Sequence, residues 1–264
     1  RRTAHCTTAT AEHAECAEKN HAPCSARRTA HCRPVPLPGG DRAAKEPRRV
    51  ALAMLFGLLG DGVFDRMEDA IEASDQAFRA YSRMTLEARS AIVAILRKTG
   101  LQHKEFIARE TVQETGMGRA EHKMMKFDLI AERTPGVEFL RTWAQSGDHG
   151  LTVEEMAPYG VIGAVTPSTH PVPTLLNNAI SLLAAGNVGV FNAHPASKTI
   201  FAKGIAIFNR AIVQAGGPPN LLTTVKVPTL ETADLMFKHP KTRILLVTGG
   251  PGVVKAALQV PKKV

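Results

Sequence analysis

Two periodicities divide the chain. From Asp65 to about residue 145, apolar residues recur every three or four positions, the spacing of helices that bury one stripe. After Ala157, short apolar runs alternate with segments of helical period. That order yields parallel strands joined by helical crossovers. In the first region Met67, Ile71 and Phe78 share a helix face with Ala70 and Ala77, and the small Ser74 lies between them. Thr85-x-x-Ala88 opens a second helix that carries Ile92, Val93, Ile95 and Leu96 and is predicted to close at Gly100. Further helices are predicted at about 102–115, 119–133 and 136–145, with a short strand pair near Leu151–Glu155. Charged residues of these helices, such as Glu110, Glu114 and Lys123, read as solvated faces.

In the second region the pattern predicts strands at Val161–Val165, Val188–Phe191, Leu221–Val227 and Ile244–Thr248. Helices are predicted at 174–185, 199–215, 230–238 and 252–259. Successive βα repeats imply an α/β fold: a doubly wound, mostly parallel Rossmann-like sheet, here preceded by a helical segment. In such sheets ligands bind outside the carboxyl ends of the strands, so the loops that follow the strands are where chemistry is expected.

Composition changes the picture mainly at the amino-terminal end. Residues 1–49 lack hydrophobic periodicity, hold all four cysteines (Cys6, Cys16, Cys24 and Cys32) and repeat RRTAHC at Arg1–Cys6 and Arg27–Cys32. They carry ten Lys/Arg against five Asp/Glu, so +5 of the formal +9 sits there. The rest of the chain gives little reason to expect a nucleic-acid partner. His13-x-x-Cys16 and His21-x-x-Cys24 have spacings that zinc tolerates, but no apolar residues surround them to support a site. The reading favoured for 1–49 is a disordered or spurious tail ending in a Pro-rich linker, with no metal site. Val50–Leu59 (VALAMLFGLL) resembles a secretory core, yet Gly60-Asp61-Gly62 follows in place of a cleavage site. Residues 50–60 are therefore read as an apolar docking segment and 61–264 as the folded domain, with no segment long enough to span a bilayer.

Neither GxGxxG nor GxxxxGK[ST] occurs, which leaves the strand-end loops. Thr166-Pro167-Ser168-Thr169-His170-Pro171 follows the first strand and offers hydroxyls and an imidazole. Asn192–Lys198 follows the second, with Ser197 as candidate N-cap of the next helix. Thr248-Gly249-Gly250-Pro251-Gly252 follows the fourth, where glycines permit close backbone approach and a helix N-terminus offers amide donors. Asn177-Asn178, an unusual pair within a helix, is expected to hold a loop backbone.

VIGAVTPSTHP, LLNNAISLLAAGN, VFNAHPASK, AGGPPNLLTTV and LLVTGGPGVV resemble the aldehyde dehydrogenase superfamily. With ETGMGRAEHK, TPGVEFL and SGDHGLT they resemble its coenzyme A-acylating branch, the acetaldehyde and propionaldehyde dehydrogenases of ethanolamine and propanediol utilisation. The likeness runs from about Gly62 to Val264. It implies oxidation of a short-chain aldehyde by NAD through a cysteine thioester, which coenzyme A then accepts; the alternatives are a non-acylating aldehyde or semialdehyde dehydrogenase, or a catalytically inactive nucleotide-binding or shell-associated module. It also implies that Thr166, Pro167, Ser168 and Thr169 line the dinucleotide, that His194 and Pro195 lie at the adenosine ribose, and that Thr248, Gly249, Gly250 and Val253 approach the phosphates and nicotinamide end. His170 stands where the branch usually has Asn. The likeness ends before the family's cysteine nucleophile, so no catalytic residue is assigned, and this chain is expected to lack acylating activity. Further expectations from the resemblance are homo-oligomers of the full-length enzyme, a cytoplasmic location, and packaging in a bacterial microcompartment with a shell-protein partner.

Overall fold

The computed structural model describes residues 61–264, and the expectations for the 1–49 tail and the 50–60 docking segment lie outside them. Five strands form one parallel sheet: β1 (Val63–Phe64), β4 (Val161–Val165), β5 (Val188–Asn192), β6 (Leu222–Val225) and β7 (Thr242–Val247), in the order β1-β6-β5-β4-β7. Strands β4 and β5 are buried along their whole length, which explains why they read as continuous apolar runs with no alternation. From β4 through β5 to β6 the chain steps across the sheet in one direction, then returns to place β7 on the far side of β4. The crevice between the β4 and β7 loops is thus the topological switch point of the sheet. Val165 is in register with both Asn192 and Val247, so three strands end level and deliver their loops to one edge.

Helix α4 (Pro171–Ala184) joins β4 to β5, α5 (Lys198–Gln214) joins β5 to β6, and α6 (Leu230–Lys238) joins β6 to β7. With right-handed crossovers, α4 and α5 cover one face and α6 the other. Helix α1 (Met67–Tyr81) packs beside α6 and against β5 and β6, while α2 (Leu86–Thr115) lies across α4 and α5 and carries α3 (Ala120–Arg133) on its flank. Helix α1 buries Met67, Ala70, Ile71, Ser74, Ala77 and Tyr81, the predicted stripe carried one turn further, and Phe78 is only half-buried. The Tyr81 hydroxyl, fully buried, donates to the carbonyl of Leu183 at 2.7 Å and so ties α1 to the end of α4. Helix α7 (Pro251–Leu258) follows β7.

Two predicted boundaries are corrected. Gly100 does not end a helix: α2 runs on through it to Thr115 and stops at Gly116, whose φ of 66° is the left-handed cap. Gly100 is needed instead for packing, because a Cβ there would lie 2.5 Å from Cδ2 of the buried Leu176 on α4. The helix predicted at 136–145 is absent. A single 3-10 turn at Val137–Phe139 is followed by an antiparallel hairpin, β2 (Trp143–Gly147) and β3 (Gly150–Glu154), that forms its own two-stranded sheet. Both hairpin strands are exposed throughout. The strand expected near Leu151–Glu155 is there as β3, while its partner β2 occupies residues expected to be helical; with no face buried, β2 shows no alternation that would mark it as a strand. Among the described residues no helix is long and apolar enough to cross a membrane.

Candidate functional site

The loop after β4 is anchored at both ends. Thr166 N–H donates to the carbonyl of Asn192 at 3.3 Å, and Thr248 N–H donates to that of Val165 at 3.0 Å, so the three strand-end loops are laced together. Thr166 is buried, and its Oγ1 has no partner within the protein. Ser168 Oγ lies 3.8 Å from Met117 Sδ, in the turn between α2 and α3. Thr169 Oγ1 and His170 Nδ1 share a 2.7 Å hydrogen bond. Pro171 then starts α4, the place in a helix where a missing N–H costs nothing.

The underside of this loop is held by a residue that sequence reasoning placed on a solvated face. Lys123 of α3 is 3% exposed, and its Nζ donates to the carbonyl of Thr169 at 2.6 Å. Burial lowers the proton affinity of Lys123, and the neighbouring Lys126 lowers it further. Burial, and after it the charges of Lys126 and Lys123, lower the proton affinity of His170 and so disfavour its charged form.

The loop after β5 is organised by its own side chains and by α2. His194 Nδ1 accepts from Ala196 N–H at 3.1 Å, and Ser197 Oγ donates back to the His194 carbonyl at 3.1 Å. Ser197 occupies the N-cap position of α5 but makes no capping bond. Glu114 supplies that cap from α2: its carboxylate accepts from Thr199 N–H at 2.8 Å and Ile200 N–H at 2.7 Å. One turn back, Glu110 pairs with Lys203 at 2.6 Å. Glu110, Glu114 and Lys123 therefore bind structure and are not simply solvated faces. A carboxylate 85 residues away in sequence leaves no local signal of its target.

Asn192, at the end of β5, accepts from Thr232 Oγ1 at 2.7 Å and donates to the Thr229 carbonyl at 3.2 Å. It thereby fixes the start of α6, where Thr229 and Thr232 form a reciprocal capping box. The amide predicted at Asn177-Asn178 to hold a loop backbone does something else: Asn177 Oδ1 accepts from Thr134 Oγ1 at 2.9 Å. The backbone-holding role falls to Asn187, whose Oδ1 takes the amides of Tyr159 and Gly160 at 2.7 and 3.0 Å.

In the loop after β7, a Cβ built on Gly250 would meet no atom within 4 Å, whereas one on Gly249 would lie 2.7 Å from Val253 Cγ1. The backbone here is open to an approaching group and stands at the start of α7. The structure thus brings Thr166–Thr169 and Thr248–Gly250 to the switch point, with Val253 one turn into α7 and His194-Pro195 further along the same edge. Hydroxyl-bearing loops beside an open glycine backbone at the start of α7 suit a polyoxygenated, anionic ligand such as a dinucleotide.

The aldehyde dehydrogenase family matches residues 61–263, more than half of the chain. A second family, described as "Carbamoyltransferase, Kae1-like Domain, second subdomain", matches residues 20–98, of which 61–98 also fall within the first match. An acetylating acetaldehyde dehydrogenase of Bilophila wadsworthia is 47% identical over 199 residues, covering 75% of this chain and 41% of that protein. The CoA-propanoylating propanal dehydrogenase of Citrobacter freundii is 42% identical over 205 residues, covering 78% and 44%. The propionaldehyde dehydrogenase of Rhodopseudomonas palustris, solved with bound propionyl-CoA, superposes with a TM-score of 0.76 at 43% identity, over 77% of this chain and 46% of that one. One from the Clostridium phytofermentans fucose utilisation bacterial microcompartment gives 0.75 at 46% identity, over 76% and 46%. This chain spans less than half the length of these relatives. The chain belongs to the aldehyde dehydrogenase family.

Proposed function

We propose that residues 61–264 are the dinucleotide-binding part of an enzyme that oxidises a short-chain aldehyde to its acyl-CoA with NAD and coenzyme A. The observation that carries this reading is the convergence of three strand-end loops at the switch point in a chain whose relatives bear that activity. Thr166, Pro167, Ser168 and Thr169 would line the dinucleotide, His194 and Pro195 would face its adenosine ribose, and Thr248, Gly249, Gly250 and Val253 would meet its phosphates and nicotinamide end. When bound, NAD supplies the hydride acceptor. The chain's own residues bind and orient. Lys123 holds the Thr169 carbonyl in place, and the open backbone at Gly250 admits a phosphate next to the amides that start α7. Residues 61–264 contain no cysteine, so the thiolate step is not theirs. The microcompartment source of one solved relative supports packaging in a shell, within the cytoplasm, as the setting.

Calorimetric titration of the 264-residue chain with NAD and AMP tests the reading. Saturable 1:1 binding of both is expected. Gly250→Glu should weaken NAD by about tenfold, roughly 1.4 kcal/mol, by placing a carboxylate where the phosphates would lie. Absence of binding to either nucleotide, or an unchanged affinity in Gly250→Glu, would sink it.

A further inference from the structure

The middle of the loop after β4 has few ties to the rest of the fold. The sheet ladder ends at Thr166, whose N–H donates to the Asn192 carbonyl, and the bonds of α4 begin with Thr174 N–H to the His170 carbonyl at 3.1 Å. Between them, among the described residues, no backbone-to-backbone hydrogen bond reaches residues 167–169. The side chains add little: Ser168 Oγ meets a sulfur at 3.8 Å, and Thr169 Oγ1 bonds its own neighbour, His170. Among the described residues, the bond from Lys123 Nζ to the Thr169 carbonyl is the one that holds this backbone from elsewhere in the protein.

Lys123 is unusual for its place on α3. Its neighbours Glu121, His122, Met125 and Lys126 are exposed, whereas Lys123 is buried. A lysine ordinarily lays its stem along the surface and keeps its ammonium in water, and is buried only when paired. Among the described residues this ammonium forms no ion pair. It gives up water for a single carbonyl, and an apolar side chain of the same length would fill the space with less desolvation. The fold therefore gains little from the charge, and the loop gains its anchor. The side chain runs beside Gly118, in the turn between α2 and α3, where a Cβ would lie 3.7 Å from Nζ. Glu114, just before that turn, caps the helix that follows the β5 loop, so residues 114–123 brace two of the three loops.

We infer that Lys123 is a positioning residue: its ammonium, acting through the Thr169 carbonyl, holds the 167–169 backbone in the shape a ligand meets, without adding to the stability of the fold. That the ligand is a dinucleotide rests on the reading above; that Lys123 fixes the loop does not. A freed loop spends only part of its time in the binding shape, and apparent affinity falls by that fraction.

Lys123→Met in the 264-residue chain tests this, because it keeps the length of the stem and removes the ammonium. In the ligand-free variant, NMR order parameters at the Ser168 and Thr169 amides should fall from about 0.85 to below about 0.6, with Val161–Val165 unchanged. The urea midpoint should stay the same or rise, as when a buried charge gives way to an apolar group. NAD affinity should fall about tenfold. Lys98→Gln, an equal loss of charge at an exposed site on α2, should leave loop and affinity unchanged. A loop as rigid in Lys123→Met as in the wild type, a lost or sharply lowered urea transition, or equal effects from Lys98→Gln would each overturn the proposal. So would a freed loop that binds NAD as tightly as the wild type does. A freed loop in Lys123→Met, with no NAD binding even by the wild type, would support the anchor and overturn the dinucleotide reading alone.

Discussion

Glu114 shows how much one side chain can organise here. Its carboxylate takes two N–H groups in the first turn of α5, where helix donors have no partner of their own and the helix dipole favours negative charge. Glu114→Ala is expected to destabilise the fold by about 1–2 kcal/mol. Glu110→Gln, which breaks a partly exposed ion pair with Lys203, should cost less than about 1 kcal/mol. Urea midpoints for the two variants check the ordering, and equal losses would mean that the cap contributes nothing special. The candidate site was legible at this scale only where loop chemistry is local. Thr166–His170 and Thr248–Gly252 announce themselves through Pro, Gly and hydroxyls that follow apolar runs. Lys123 does not, because a lysine on an otherwise amphipathic helix looks solvated until the fold brings the Thr169 carbonyl to it from 46 residues away.

At the scale of elements, period and length sufficed wherever tertiary structure agrees with local preference. Strand β4 falls at the predicted residues, and β5, β6 and β7 shift by a few positions at their ends. Agreement fails where one residue serves a partner outside its own element. Gly100 is a helix breaker by propensity, yet α2 continues through it because Leu176 occupies the space a side chain would need. Gly100→Ala gains roughly 1 kcal/mol of helix propensity and loses about 1–3 kcal/mol to overpacking. A net loss of about 1 kcal/mol in the urea midpoint is expected. A stabilised variant would show that Leu176 moves aside freely.

For the whole molecule, the core lies between the five-stranded sheet and its two helical layers, while the β2–β3 hairpin stands apart with every residue exposed. A two-stranded ribbon with no buried face adds little to global stability. The chain's single tryptophan, Trp143, belongs to that hairpin and is 53% exposed. Its emission therefore reports on the ribbon and is nearly blind to the core. In a denaturation series the fluorescence of Trp143 should redshift little and change before the helical circular dichroism at 222 nm, which follows α1 to α6. Such non-coincident curves would ordinarily be taken for a populated intermediate; here they would be the optical signature of where one indole happens to sit.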